Sequence, residues 1–373
     1  MRIAIVINTS WNIYNFRKGL ILEMLKKGFE VTAIAPEDDY SQRLKDLGCD
    51  YHPVEIVGTG ANPIKDIKTF LLLRRIYKKV EPDIVLHYTI KPNIYGTLAA
   101  RSLGIPCINN VSGLGTVFLD RSIASFIAKI LYRVSFNMAT LVFFQNRDDK
   151  EDFIFSTGLK KLQTDLLPGS GIDLQYFQPR QKNTTKNFTF LLVARLIVEK
   201  GIYEYVEAAK SLKTKHQNVE FQIIGSVDED HSRGISQKEV DDWVDKDIIN
   251  FLGTKDDPRQ FIADADCIVL PSYREGTPKT LLEAAAMGRP IVTTDVPGCR
   301  EVVNDGLNGF LCKGKNSNSL AEKLDEMISL NSEQREKFGT NGRKRVEETF
   351  DERLVINKYL TQISNIITLK ARK

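Results

Sequence analysis

Two successive series of short, almost uninterrupted apolar runs, each followed by a longer helical pattern, constrain this 373-residue chain more than any other feature. In the first half the runs read RIAIVIN (2–8), EVTAIAP (30–36), CDYHPVEI (49–56), DIVLHYT (83–89), PCINNVS (106–112) and TLVFFQN (140–146). Helical spacing fills intervals such as 16–27, 66–79, 93–103 and 148–157. The second series reads FTFLLVARL (188–196), VEFQIIG (219–225), IINFLG (248–253), DCIVLPS (266–272), RPIVTTD (289–295) and GFLC (309–312). A strand that is apolar throughout is covered on both faces, and strands separated by helices pair in parallel. Two such series predict an α/β chain of two doubly wound domains.

The seam falls in QPRQKNTTKN (178–187), which is polar and without periodicity. It divides an N-terminal domain at 1–180 from a C-terminal domain at 181–353. The helical pattern over 354–373 is expected to pack back on the first. Ligands of doubly wound sheets lie at the carboxyl ends of the strands. With two domains facing each other, the expected site is the cleft between them.

Composition excludes several classes. With 42% hydrophobic and 27% charged residues the chain is ordinary for a globular protein. Its five cysteines (Cys49, Cys107, Cys267, Cys299, Cys312) are scattered and odd in number, which fits neither a disulfide framework nor a zinc site and suits a reducing cytosol. The opening MRIAIVINTSWN has too short an apolar run for a signal peptide. No stretch approaches the ~20 apolar residues of a membrane span.

Charge is unevenly shared: residues 1–182 carry a net +6 and the remainder −2, which makes the overall +4. Basic and large apolar residues interleave at 69–80 and 122–136, and the helix over 66–79 sets Phe70, Leu72 and Ile76 among Lys68, Arg74, Arg75, Lys78 and Lys79. Such helices are either solvated faces or a surface for anionic lipid. Nucleic acid is not expected, because no recognition motif accompanies the charge.

Two segments after second-series strands carry chemistry. VARLIVEKG places Arg195 and Lys200 in a strand-to-helix loop, where a planar fork and a point charge suit a diphosphate. PSYREGTPKTLLEAAAMG exposes Glu275 in a turn, follows it with Gly276 and Thr277, and sets Pro278 where the first turn of a helix tolerates it. The amides of Lys279 and Thr280 would then point at an anion. Glu283 stands eight residues after Glu275, amid apolar neighbours with only Lys279 as a cation within four positions. Two carboxylates so placed suit one pair of ribose hydroxyls and one sugar ring; the alternative is a turn glutamate and a helix-face glutamate paired with that lysine.

Together with FLGTKDD and LPGSGIDLQYFQP, these segments resemble the family 4 retaining glycosyltransferases, which have the GT-B fold of two facing Rossmann-like domains. The resemblance spans the chain and is most specific over 188–312. It implies a UDP-sugar as donor substrate, no cofactor and no required metal; DED at 228–230 is the nearest approach to a metal-binding acidic cluster. It further implies that Glu283 holds the ribose and that Arg195 and Lys200 hold the diphosphate. Glu275 with Gly276 and Thr277 would hold the sugar, and Leu252, Gly253 and Thr254 would border the base. Arg195, Lys200 and Glu275 are the catalytic set on this view.

In the first domain, HYTIKPNIYGTLAARSLGIP and NNVSGLGTVFL resemble the bacterial members that glycosylate polyprenyl-diphosphate-linked sugars. Lys91, Asn110, Gly113 and Gly115 would meet the acceptor's headgroup; the alternative is a plain surface lysine at 91 and turn glycines at 113 and 115. TSWNIYNFRKG would bring Ser10 and Asn12 toward the donor phosphates and Arg17 toward the acceptor's. Many relatives carry a histidine where this chain has Asn109 and Asn110; His87, in an apolar strand, reads as a core residue. The expected protein is a cytoplasmic glycosyltransferase, peripheral on the inner face of the cell membrane, that adds an N-acetylated or deoxy hexose to a lipid-linked sugar. A nucleotide-sugar epimerase of the same fold and a non-catalytic binding protein are the alternatives.

Overall fold

The computed structural model describes residues 1–56, 62–114, 123–183, 186–229 and 231–371. The chain forms two compact units, Met1–Ser170 with Glu352–Lys373 and Gly171–Asp351. The polar stretch 178–187 therefore falls within the second unit.

The first unit is built on seven strands: β1 (Arg2–Val6), β2 (Glu30–Ala35), β3 (Asp50–Pro53), β4 (Ile84–Tyr88), β5 (Cys107–Val111), β6 (Leu141–Phe144) and β7 (Thr164–Leu166). All pair in parallel in the order β3-β2-β1-β4-β5-β6-β7. Its helices are α1 (Ser10–Lys26), α2 (Ser41–Asp46), α3 (Pro63–Val80), α4 (Thr97–Ser102), α5 (Ile123–Met138), α6 (Arg147–Thr157) and the terminal helix Glu352–Ala371. On one face of the sheet, Ile3, Ile5 and Leu86 pack with Ile13 and Ile21 of α1 and with Val355, Tyr359 and Ile363 of the terminal helix. On the other face, Val85, Val142 and Phe144 meet Tyr77 of α3, Phe136 of α5 and Phe153 of α6.

Local chemistry sets the helix starts. Thr9 is extended, and its hydroxyl accepts the Asn12 amide at 3.1 Å, which begins α1. Asn62 caps α3 with Pro63 in the first turn, where a missing N–H costs nothing. Between β4 and α4 the chain makes one π-helical turn, Pro92–Gly96. Such turns are rare and concentrate at functional sites.

The phase of α3 corrects the expected bilayer-facing set. Phe70, Leu72 and Ile76 pack against the core. The exposed apolar residues are instead Ile64, Ile67 and Leu71, with the flanking cations also exposed. In α5, Ile130, Val134 and Met138 are exposed at one-turn intervals. No described helix is long and apolar enough to cross a membrane.

The second unit has six parallel strands: β8 (Phe188–Val193), β9 (Val219–Ile224), β10 (Asn250–Phe251), β11 (Cys267–Leu270), β12 (Ile291–Thr294) and β13 (Gly309–Cys312). Their order is β10-β9-β8-β11-β12-β13. The helices are α7 (Ile202–Lys215), α8 (Gln237–Asp245), α9 (Arg259–Asp264), α10 (Lys279–Ala286), α11 (Ser317–Ser329) and α12 (Ser332–Thr349). In each sheet the strand order reverses once, between β1 and β4 in the first and between β8 and β11 in the second. Loops diverge at such a point and leave a crevice at the carboxyl ends of the strands.

Candidate functional site

At the second reversal point, the loop after β8 carries Arg195 and Lys200, and the loop after β11 carries Glu275. Gly201 lets the two loops approach: its φ is +73°, and a Cβ there would lie 2.1 Å from the Pro271 carbonyl oxygen. The Tyr273 amide donates to the Glu199 carbonyl at 2.9 Å and ties the loops further. The loop after β12 closes on the same spot. The Glu275 amide donates to the Pro297 carbonyl at 3.0 Å, and a Cβ on Gly298 would lie 2.4 Å from the Glu275 carbonyl oxygen.

Lys200 and Glu275 form an ion pair, with side chains 22% and 13% exposed. The Ser272 hydroxyl donates to the same carboxylate oxygen at 2.6 Å. The cation and anion that the sequence assigned to diphosphate and sugar are thus one coupled pair. Arg195 is different: its side chain is 60% exposed and lies 3.6 Å from the Asp228 carboxylate. Sequence reasoning missed Asp228 as a partner of Arg195, having taken it only as part of the acidic run DED at 228–230. Residues 226–235 are instead stitched to the Arg195 loop. Leu196 donates to Ser226 and Val198 to Arg233, Ile235 donates back to Leu196, and Arg233 pairs with Glu199. Asp230 lies outside the described residues.

Helix α10 begins after Pro278. The Thr280 hydroxyl donates to the Val193 carbonyl at 3.0 Å and fixes the helix start to the end of β8 rather than facing a ligand. Glu283 is 9% exposed, and Lys279, one turn back, is 3.9 Å away. Burial pushes the Glu283 carboxyl up to about 7; Lys279 opposes the rise, and Asp257 adds to it. Leu252, Gly253 and Thr254 follow β10 and bond to the end of β9. Leu252 donates to Ile223 at 2.9 Å, Gly225 donates to Gly253 at 3.1 Å, and the Thr254 hydroxyl donates to Gly225 at 3.4 Å. Gly276 and Thr277 lie between Glu275 and α10.

In the first unit, Ser10 is fully buried and donates to the Pro36 carbonyl at 2.9 Å, so the hydroxyl offered to a phosphate is engaged inside the fold. Asn12 stands in the first turn of α1, partly exposed. Arg17 is 5% exposed, with its guanidinium 4.2 Å above the Tyr88 ring. Lys91 is no surface lysine: its ammonium is 2.9 Å from the Asp66 carboxylate, and both side chains are nearly covered. The Asn110 amide donates to the Tyr359 hydroxyl at 2.7 Å, and the Ser112 hydroxyl donates to Asn110 at 3.0 Å. Lys91, Asn110 and Gly113 line one pocket; Gly115 lies outside the described residues. His87 is fully buried between the Tyr77 hydroxyl and the Asn109 side chain. Burial lowers its pKa to about 4, which keeps it neutral.

Comparison with known proteins agrees with this layout. Residues 175–345 match the family described as "Glycosyl transferases group 1", and residues 2–146 match "Glycosyl transferase 4-like". The N,N'-diacetylbacillosaminyl-diphospho-undecaprenol alpha-1,3-N-acetylgalactosaminyltransferase of Campylobacter jejuni is 30% identical, over 98% of this chain and 99% of that protein. The UDP-Gal:alpha-D-GlcNAc-diphosphoundecaprenol alpha-1,3-galactosyltransferase of Escherichia coli is 28% identical, over 77% of this chain and 79% of that one. In fold the chain is similar to a glycosyltransferase of Rickettsia africae, with a TM-score of 0.81 at 19% identity over 98% of both chains. It is also similar to Anabaena HepE, crystallised with UDP and glucose, with a TM-score of 0.79 at 17% identity over 98% of this chain and 99% of that one.

Proposed function

The chain belongs to the glycosyl transferases of group 1, enzymes of the GT-B fold, and on that premise we propose that it moves a hexose, N-acetylated or deoxy, from a UDP-sugar to a sugar carried on a polyprenyl diphosphate. The observation that supports this most is the gathering of Arg195, Lys200, Glu275 and Glu283 around the β8/β11 reversal. It occurs in a chain matched end to end by a transferase whose name specifies a lipid-diphosphate sugar. The product would enter polysaccharide or glycan synthesis.

Glu283 accepts the ribose hydroxyls. Arg195, Lys200 and the first amides of α10 hold the diphosphate, and their fixed charges stabilise it as the glycosidic bond breaks. Glu275, with Gly276 and Thr277, orients the sugar. The incoming hydroxyl attacks the face that the diphosphate leaves, so configuration is retained, and a phosphate oxygen takes the proton. No strong protein base is needed, and the diphosphate charge is met by cations of the chain rather than by a metal. UDP release should therefore require both a UDP-sugar and a short-chain prenyl-diphosphate sugar, and should continue in chelator. Release without acceptor at the same rate, or full loss in chelator restored by magnesium, would refute the respective half of the reading.

A lipid-borne acceptor requires the protein at a membrane surface, and we place it on the inner face of the cell membrane through α3 and α5. Ile64, Ile67 and Leu71 among Lys65, Lys68, Arg75 and Lys78 combine apolar contact with charge, each too weak alone for lasting attachment. Reversing Arg74, Arg75 and Lys78 to glutamate should lower sedimentation with anionic vesicles and turnover of a long-chain acceptor, while a short soluble acceptor is still used. Salt at ~1 M, with a Debye length of ~3 Å, should mimic the reversal. Equal sedimentation of variant and parent would show those helices to be solvated faces.

A further inference from the structure

Both cations of the proposed diphosphate clamp already face a carboxylate. Lys200 pairs with Glu275, and the Arg195 guanidinium lies 3.6 Å from Asp228. The two pairs differ in kind. Glu275 is nearly covered and also accepts from the Ser272 hydroxyl. Asp228 is 31% exposed, and 3.6 Å lies beyond the reach of an N–H···O hydrogen bond. Among the described residues, the Asp228 carboxylate accepts no hydrogen bond and the Arg195 guanidinium donates none. An exposed ion pair of that length adds little to stability.

The backbone nevertheless holds Asp228 firmly. Leu196 and Val227 form a parallel bridge, and Ile197 and Gly234 an antiparallel one, so the loop is tied on both sides of Asp228 to the loop that carries Arg195. The His231 amide donates to the Asp228 carbonyl at 3.1 Å, and a Cβ on Gly234 would collide with that same oxygen. Neighbouring carboxylates have structural tasks. Glu229 accepts the Gln237 amide at 2.9 Å at the start of α8, and Glu199 takes Arg233. The Asp228 carboxylate instead puts its charge beside the Arg195 fork without occupying the fork's donors.

A diphosphate is present both before and after transfer. In a UDP-sugar it is a diester with two negative charges. Freed UDP ends in a monoester, which loses a further proton near pH ~6 and carries a third charge at pH 8. Two uncompensated cations would therefore hold the product more tightly than the donor. We propose that Asp228 is a resident counter-anion of the clamp, opposing that third charge and making the site discriminate against free UDP. It is a specificity-determining residue, not a catalytic one. The inference rests on the donor reading above and deepens it. One extra charge ~6 Å from a carboxylate is disfavoured about threefold in affinity even at the dielectric of water.

Calorimetry at pH 8 with UDP and with its terminal methyl ester separates charge from contact, because the ester keeps the diphosphate but carries the charge of a UDP-sugar. Asp228→Asn should tighten UDP at least about threefold more than it tightens the ester. Asp228→Glu, which keeps the charge, should retain the parent's ratio of the two affinities. An unchanged ratio in Asp228→Asn, whether both ligands tighten or neither does, would overturn the assignment. Weaker binding of UDP would overturn it too, by making Asp228 an orienting group for the guanidinium. So would an equal shift in Asp228→Glu, which would trace the effect to the shape of the loop. Failure of the parent to bind either nucleotide would instead sink the donor reading on which the inference stands.

Discussion

Replacing Glu283 with glutamine should make the protein more stable than its parent at alkaline pH, although it removes a carboxylate from the proposed donor site. Glu283 is 9% exposed, and burial raises its pKa to about 7 from an ordinary 4.5. A carboxyl whose folded pKa exceeds its unfolded one gives its full stability below the unfolded value. That contribution is lost as pH rises through the folded value. The window runs from pH 4.5 to about 7. At 1.36 kcal/mol per pKa unit, the parent should carry a penalty of roughly 3 kcal/mol at pH 8 and under about 1 kcal/mol at pH 5. Glutamine keeps the shape and cannot ionise, so its melting temperature should exceed the parent's by several degrees at pH 8, with the gap closing toward pH 5. Binding should move the opposite way. Ribose hydroxyls donate more strongly to an ionised carboxylate, so UDP affinity in the parent should fall below pH 7. The glutamine variant should bind at least about tenfold more weakly at pH 8, from a charged hydrogen bond of about 1.5–3 kcal/mol. Superimposed melting curves at pH 8 would show that Glu283 is not a buried charge.

Lys200→Met should be among the most damaging single changes in the second unit. It removes the Lys200 ammonium from Glu275, which is 13% exposed and also accepts from the Ser272 hydroxyl. Removing one partner of a buried pair costs about 3–5 kcal/mol, whereas replacing both by neutral groups is often nearly free. The double variant Lys200→Met with Glu275→Gln should therefore regain most of the lost stability in urea melts. It should remain inactive, because the proposed clamp on the leaving diphosphate is gone. A double-mutant cycle over the four proteins measures the coupling. If Lys200→Met melts with the parent, the pair carries no stability, and its geometry answers to the ligand alone.

The fold was readable because each apolar run is its own evidence: FTFLLV must be covered on both faces wherever it lies. The gathering of Arg195, Lys200, Glu275 and Glu283 about the β8/β11 reversal was readable for a related reason, since they belong to short segments whose turns and helix starts are local. What escaped notice was long-range. Nothing near Arg195 in sequence announces Asp228, and nothing near Lys91 announces Asp66. The Asn110–Tyr359 bond joins residues 249 positions apart. Helix phase was the other loss. Counting apolar and basic residues in 66–79 without projecting them onto a helix put Phe70, Leu72 and Ile76 outward, when Ile64, Ile67 and Leu71 are the exposed ones.

The terminal helix gives the first unit an unusual place in biosynthesis. Val355, Tyr359 and Ile363 complete the cluster around Ile3, Ile5 and Leu86, so a unit encoded first finishes its core last. Gly171–Asp351 leaves the ribosome before the segment that closes Met1–Ser170. At 5–20 residues per second the earlier segment would wait roughly ten to forty seconds with part of one sheet face uncovered. During that interval the second unit can already be native. The usual amino-to-carboxyl order of domain maturation is thus reversed, the unit begun first being the later of the two to complete its core.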